Sequence, residues 1–198
     1  MSIEDINKYY DELNKFVKQI KVKDKKGKEL KFSDGAERAV KIMLEQHAEG
    51  KKVMFIGNGG SAAIASHMAV DFWKNGRIPA TAFNDSSLLT CISNDYGYER
   101  VFEKPIEAFA GEGDVLMAIS SSGKSKNILN GVKAAESKKC KVITFSGFSP
   151  DNTLYKTGDL NFYVPSSAYS HVEIIHHTII HYMLDMVIKW RSSEGDDD

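Results

Sequence analysis

The chain predicts an α/β fold, a parallel sheet covered on both faces by helices. Three observations carry that reading. Short β-rich runs at 53–56, 80–83, 114–119, 141–145 and 161–164 alternate with helical stretches, the rhythm of strand–helix–strand units. Two of the runs, Val53-Met54-Phe55-Ile56 and Val115-Leu116-Met117-Ala118-Ile119, are apolar throughout, as strands buried on both faces require. Each of those two leads straight into a small-residue turn and a helix start. That order aims backbone N–H groups and hydroxyls at whatever sits above the strand ends.

Along the chain, Ile6, Tyr9, Tyr10, Leu13, Phe16, Val17 and Ile20 recur at helical spacing between Ile3 and Val22, with Ser2 and Asp5 as caps. The basic stretch Lys21 to Lys31 contains Gly27 and reads as an exposed loop with a solvated charge run. Helical spacing returns from Ala36 to Ala48 and stops at Gly50. The alternating segment follows, and a last helix is expected from His171 to Trp190. Residues 1–191 thus read as one domain that includes the N-terminal helices. Residues 192–198 are acidic and small and read as a disordered tail.

Composition narrows the function classes. The chain has 198 residues, 42% hydrophobic and 27% charged, with a formal net charge of −1. A near-neutral chain has no electrostatic footprint for nucleic acid or an anionic membrane. No apolar run approaches the roughly 20 residues of a spanning helix, and the N-terminus has no signal-peptide segment. Cys91 and Cys140 lie in apolar surroundings without CxxC spacing. They read as reduced core thiols of a cytoplasmic protein.

The two turns carry the chemistry. Gly57-Asn58-Gly59-Gly60-Ser61 follows the first run, and Ser120-Ser121-Ser122-Gly123-Lys124-Ser125 follows the third. Gly57, Gly59 and Ala62 also fit a GxGxxA dinucleotide fingerprint with Asp85 as its acidic partner. That reading leaves the serine loop without a role, and there is no GxxxxGKS pattern. Four serines and a glycine in six positions exceed what a turn needs. They suit a phosphate, which would accept hydrogen bonds from Ser120, Ser122 and Ser125 and from the helix they open.

A second cluster lies on the helices. His67 and Asp71 are four apart and share a face. Glu173, His177 and His181 form a stripe at i, i+4 and i+8. Imidazoles and carboxylates so grouped suit zinc or a similar divalent ion. Glu173 and His181 are separated by about 12 Å of helix rise. To share one ion they must lean together, or the site is shared between subunits, or His177 takes one of the positions. His47, His171 and His176 read as structural.

Taken together, GNGGSAA at 57–63, His67, Ser93-Asn94-Asp95-Tyr96-Gly97-Tyr98-Glu99, the SSSGKS loop with Lys126-Asn127-Ile128, and Val164-Pro165-Ser166-Ser167 resemble the sedoheptulose 7-phosphate isomerases (phosphoheptose isomerases), a sugar isomerase (SIS) domain family. The resemblance runs from Ile3 to Lys189. It implies a doubly wound, flavodoxin-like sheet of five parallel strands with an N-terminal helical extension and a long C-terminal helix. It also implies a homotetramer with active sites where subunits meet. The family's metal ligands fall on His67, Asp71, Glu173 and His181, its phosphate site on Ser120, Ser121, Ser122 and Ser125. Asn58, Gly59, Gly60, Ser61, Asn94, Asp95 and Glu173 would contact the substrate. The family usually has Glu, its catalytic base, where this chain has Asp71, and Gln where it has Glu173.

The implied reaction turns a ketose phosphate into an aldose phosphate through an enediol, assisted by a divalent metal, zinc by preference. Asp71 is the expected base and His181 the partner acid. The implied substrate is sedoheptulose 7-phosphate, giving a heptose 7-phosphate for lipopolysaccharide or capsule synthesis. Other readings open at this stage are an isomerase of another sugar phosphate and a non-catalytic module that binds a phosphosugar or a replication initiator protein.

Overall fold

The computed structural model describes residues 3–194. A seven-stranded sheet runs in the order β2-β1-β7-β6-β5-β3-β4. Five strands are mutually parallel: β3 (Val53–Gly57), β4 (Ala80–Ala82), β5 (Val115–Ser120), β6 (Lys141–Ser146) and β7 (Leu160–Tyr163). The expected parallel core is therefore present, within a residue or so of the predicted bounds. Beyond it, β1 (Lys21–Asp24) pairs antiparallel with β7, and β2 (Glu29–Leu30) pairs with β1.

That hairpin corrects the loop expected at Lys21–Lys31. Its signal is faint because Val22 alone is fully buried, at 1% exposure. Lys21 and Lys23 flank the inward residue Val22, and the Lys23 ammonium sits over the Tyr155 ring, 4.3 Å from its centroid. The edge strand on this side is β2, only two residues long and flanked by Lys28 and Lys31, and a short, charge-flanked edge discourages further pairing.

Side chains alternate across the sheet. Val53 and Phe55 of β3, with Val115, Met117 and Ile119 of β5, face one core; Met54, Ile56, Leu116 and Ala118 face the other. The first core is roofed by α2 (Phe32–Ala48), α3 (Gly60–Lys74) and α7 (Tyr169–Glu194), against which α1 (Ile3–Lys18) packs. The second lies under α5 (Glu103–Phe109) and α6 (Lys126–Ser137), with α4 (Ser86–Tyr96) at its margin. Helix α2 starts four residues earlier than expected. Gly35, which lowers helix propensity, sits in its first turn because Val22 lies directly against it. Helix α7 continues to Glu194, so Ser192 and Ser193 are helical and not part of a tail. Ser2 and residues 195–198 lie outside the described residues.

The connectivity decides where a ligand can bind. From β3 the chain crosses to β4 on one side, then returns to place β5 on the other side of β3. This is a topological switch point, where open parallel sheets have a crevice beyond the strand ends. Gly57 pairs with Ile119 at those ends, so the glycine and serine loops emerge side by side. No helix among the described residues is long and apolar enough to cross a membrane.

Candidate active site

A cleft of about 450 Å³ opens at the switch point, lined by Asn58, Gly59, Gly60, Ser61, Ile119, Ser120, Ser121, Ser122, Ser125, Tyr169 and Glu173. All eight residues expected from the two loops are among them, with Glu173 opposite. The first loop turns sharply at Gly59, whose φ of +54° and ψ of −123° suit glycine alone. Helix α3 then begins at Gly60, and a Cβ there would collide with the Glu173 carboxylate. The acid of α7 thus rests on the amino-terminal turn of α3, where the helix presents its free N–H groups.

The second loop is held from behind. Gly123 has φ +61°, and its N–H donates to the Ser120 backbone oxygen at 3.0 Å. A side chain at Gly123 would strike the Asn152 amide. Asn152 is in turn fixed: its Nδ2 donates to the Ser149 and Gly147 oxygens at 2.7 and 3.1 Å, and its Oδ1 accepts from the Tyr155 N–H at 2.8 Å. Within this frame Ser121 is 5% exposed, and its Oγ has no hydrogen-bond partner among the described residues. Ser125 sits at the N-cap of α6 without using its hydroxyl as a cap. A buried hydroxyl without a partner costs free energy, and here it lines a cleft that a phosphate could enter.

Asn58 is oriented by a network that sequence reasoning did not assign. Its amide exchanges two hydrogen bonds with Asn127 (3.0 and 2.8 Å), and its Oδ1 also accepts from the Tyr98 hydroxyl at 3.0 Å. Tyr169 was likewise unassigned; its position four residues before Glu173, on the same helical face, is the signal that could have found it. Asn94 and Asp95 do not join the cleft within the protomer. Both are exposed, Asn94 with Leu89, Thr90, Ser93 and Tyr98 in a separate depression, where its Nδ2 donates to Asp95 at 2.8 Å. Asp85 is the N-cap of α4, accepting from the Leu88 N–H at 3.0 Å. This helix-capping role accounts for the carboxylate that the dinucleotide reading needed.

The imidazoles meet further along the same pair of helices. Gly60 contacts Glu173, His67 contacts His177 and His181, and Gly76 contacts Leu184, so α3 and α7 run side by side in one direction. His67, His177 and His181 bring one donor atom each within 4.8 Å of the others. Their ring centroids are 4.6 to 5.3 Å apart. Burial, and after it repulsion from His181 and His67, pushes the His177 ring below the ordinary histidine value. The Asp71 carboxylate lies 3.2 Å from His67 Nε2. Asp71 and His181, the expected base and acid, are not among the cleft-lining residues; Glu173 is. Of the remaining histidines, His176 is fully buried and donates Nε2–H to the Ser146 carbonyl at 3.0 Å. His171 is buried between the Tyr9 and Phe16 rings. Cys140 is buried as expected, whereas Cys91 is exposed, on the outer face of α4. Helix α4 buries none of its residues.

The fold and cleft define a doubly wound α/β domain with a ligand crevice at its switch point, and comparison with known proteins gives its family. Residues 8–147 match the SIS domain model. The phosphoheptose isomerase of Solidesulfovibrio magneticus is 39% identical over 165 residues, spanning 79% of this chain and 80% of that protein. The structure of phosphoheptose isomerase from Neisseria gonorrhoeae superposes with a TM-score of 0.81 at 30% identity, covering 93% of this chain and 97% of the other. That from Francisella tularensis gives the same TM-score at 27% identity, covering 96% and 99%. The chain belongs to the phosphoheptose isomerase family of SIS-domain proteins, and it is a sugar-phosphate isomerase.

Proposed function

We propose that this isomerase converts sedoheptulose 7-phosphate to D-glycero-D-manno-heptose 7-phosphate through an enediol, with a divalent metal, zinc by preference. The observation that carries the reading is the buried Ser121 hydroxyl, without a hydrogen-bond partner among the described residues, in a cleft that Glu173 also lines. A phosphate docked on Ser120–Ser125 and the α6 N-terminus leaves the carbon chain free to extend along α7 toward the imidazoles. The relatives' names supply the seven-carbon substrate.

The chain's own groups suffice to describe the proton movements. A carboxylate removes a proton from C1 of the open-chain ketose while O2 gains a proton, giving the enediol. The O1–H then loses its proton as C2 is protonated from the same side, leaving an aldehyde at C1 and a hydroxyl at C2. Glu173 is the carboxylate lining the cleft and takes the base role, while Asp71, 3.2 Å from His67 Nε2, orients that ring. The three-imidazole donor set, with His177 Nε2 buried and without a partner among the described residues, fits a borderline divalent ion. Such an ion would polarise the carbonyl and stabilise enediolate charge.

We further read the working form as a cytoplasmic homotetramer acting on a small molecule, without nucleic acid or membrane, in lipopolysaccharide or capsule precursor synthesis. Free thiols at Cys91 and Cys140 fit a reducing compartment. Exposed Ile6, Tyr10 and Val17 on α1, and Val70 and Trp73 on α3, are apolar surface suited to subunit contacts. In a tetramer Asn94 and Asp95 could complete a neighbour's cleft.

The test is proton NMR of sedoheptulose 7-phosphate in D2O with zinc-supplemented protein, beside a panel of pentulose and hexulose phosphates. The reading predicts exchange at C1 and growth of aldose signals with the heptulose, faster than with the others. Exchange with none of them overturns it, and faster exchange with a shorter sugar overturns the substrate.

A further inference from the structure

We infer that the lysine-rich hairpin closes over a second anion site, distinct from the cleft, which takes a small molecule carrying a diphosphate or similarly clustered phosphate charge. The site stands on its own geometry; only its link to turnover rests on the isomerase reading.

The run Lys21 to Lys31 holds six lysines against Asp24 and Glu29, in a chain whose formal net charge is −1. Folding does not spread those charges over a flat face. The hairpin turn and the segment after Leu154 enclose a hollow of about 270 Å³, lined by Lys23, Lys25, Lys26 and Lys156, with Asp24 the one acid among the lining residues. Asp24 is already engaged. Its Oδ1 accepts from the Lys26 and Lys28 backbone N–H groups at 2.9 and 3.0 Å, and its Oδ2 lies 3.6 Å from Arg38 of α2. Lys25 reaches Asp159 at 3.5 Å and Lys23 reaches Glu29 at 4.0 Å, long surface pairs that contribute little. Lys26 and Lys156 form no ion pair among the described residues. Ammonium charge is therefore left in surplus around one concavity. Such a site focuses its field and concentrates counter-ions, and lysines hold phosphate as point charges. The hollow is preformed: the Gly27 N–H donates to the Asp24 carbonyl at 2.8 Å, and the Lys25 N–H ties the turn to the Asp159 carbonyl at 3.1 Å. Its size, near the roughly 300 Å³ at which small-molecule pockets begin, suits a compact anion rather than a duplex.

The hollow and the cleft lie at opposite ends of the sheet and share one segment. Asp24 pairs with Leu160, where β7 begins, whereas the serine loop follows the end of β5. Residues 152–158 run between them. At the serine loop, the Leu154 N–H donates to the Gly123 carbonyl at 3.1 Å, and the Tyr155 N–H donates to Asn152, which backs Gly123. At the other end, Tyr155 and Lys156 line the hollow. An anion that draws Lys156 toward Lys26 loads the same 3-10 turn, Leu154–Lys156, that buttresses the serine loop. Occupancy should steady that loop and tighten the sugar phosphate, and linkage requires the converse.

Isothermal titration of the full-length protein with inorganic diphosphate tests the site. Lys26→Ala/Lys156→Ala should weaken the tighter binding event by roughly 100-fold, whereas Ser121→Ala should leave it within about threefold of wild type. Lys26→Arg/Lys156→Arg, which keeps both charges, should stay within about tenfold. Steady-state kinetics in excess zinc then read the coupling. Without diphosphate, wild type and the double alanine variant should turn over alike. With it, KM for the ketose phosphate should fall about fivefold or more in wild type relative to the variant, since competition in the cleft and capture of zinc act equally on both. No binding, undiminished binding in the double alanine variant, loss of binding in Ser121→Ala, or a DNA duplex bound more tightly than diphosphate overturns the site. Equal KM shifts in the two proteins overturn the coupling. A wild type that binds diphosphate through these lysines yet turns over no ketose phosphate sinks the isomerase reading and leaves the anion site standing.

Discussion

At the serine-loop end of the cleft the lining groups belong to turns, short hydroxyls and helix starts, locked from behind by Asn152 and by glycines that admit no side chain. Beyond it, further along two parallel helices, are long side chains: Glu173, which lines the cleft, and then His67 and Asp71 from α3 with His177 and His181 from α7. The first end is fixed by backbone geometry, so its position follows from strand order. The second is fixed by side-chain reach, so one methylene or one helical turn reassigns a role. The comparison teaches that the proposed anion site tolerates little change in the chain's path, whereas the proposed acid–base and metal roles can migrate between neighbouring positions on the same scaffold.

Perturbing each end should therefore give a different signature. The largest effect is expected at the helical end: Glu173→Gln should lower kcat by on the order of 1,000-fold with little change in KM, read by steady-state kinetics. Next, Gly123→Ala places a methyl against Asn152 in a left-handed turn. Strain and clash of a few kcal/mol should raise KM for the sugar phosphate by on the order of 100-fold while zinc content stays unchanged. Ser121→Ala removes one hydrogen bond to a charged group, worth about 1.5–3 kcal/mol. KM should rise roughly 10- to 100-fold with kcat nearly constant, and isothermal titration with inorganic phosphate should show the same loss.

Helix α7, which carries most of the second end, has its own pH signature. Burial pushes His176 down to about 4, outweighing its bond to the Ser146 carbonyl. A ring that ionises at 6.5 when unfolded and about 4 when folded favours the fold fully above pH 6.5. That contribution, on the order of 3 kcal/mol, is lost as pH falls from 6.5 through 4. Urea unfolding of chelator-treated protein between pH 7 and 4 should show the decline, and His176→Gln should flatten it. The smallest effect is expected for Tyr98→Phe. It removes one hydrogen bond to Asn58 and should cost less than tenfold in kcat/KM, about 1 kcal/mol.

The same contrast explains what could be read from the sequence. The parallel core and both loops were legible because apolar runs, glycine turns and serine clusters are local signals. The β1–β2 hairpin was not, since a strand with a single buried residue, Val22, looks like a charged loop until its partner β7 is known. At the site, the stripe Glu173, His177 and His181 was visible as spacing. Which member meets the cleft and which meets His67 depends on how α3 lies against α7, a tertiary fact that helical periodicity does not encode. Asn127 and Tyr98 were similarly opaque: their bonds to Asn58 join residues forty or more positions apart. Cys91 misled because its apolar neighbours lie on a helix that buries none of its residues.

The central claim is that one cleft holds the phosphate at the serine loop and the reacting carbons against Glu173. A crystal structure of the Glu173→Gln variant soaked with sedoheptulose 7-phosphate tests it most directly. The account predicts phosphate oxygens within hydrogen-bond distance of Ser121 and Ser125, with C1 and C2 within about 3.5 Å of the side-chain amide that replaces the Glu173 carboxylate. Phosphate bound elsewhere, or a sugar chain directed away from α7, would contradict it.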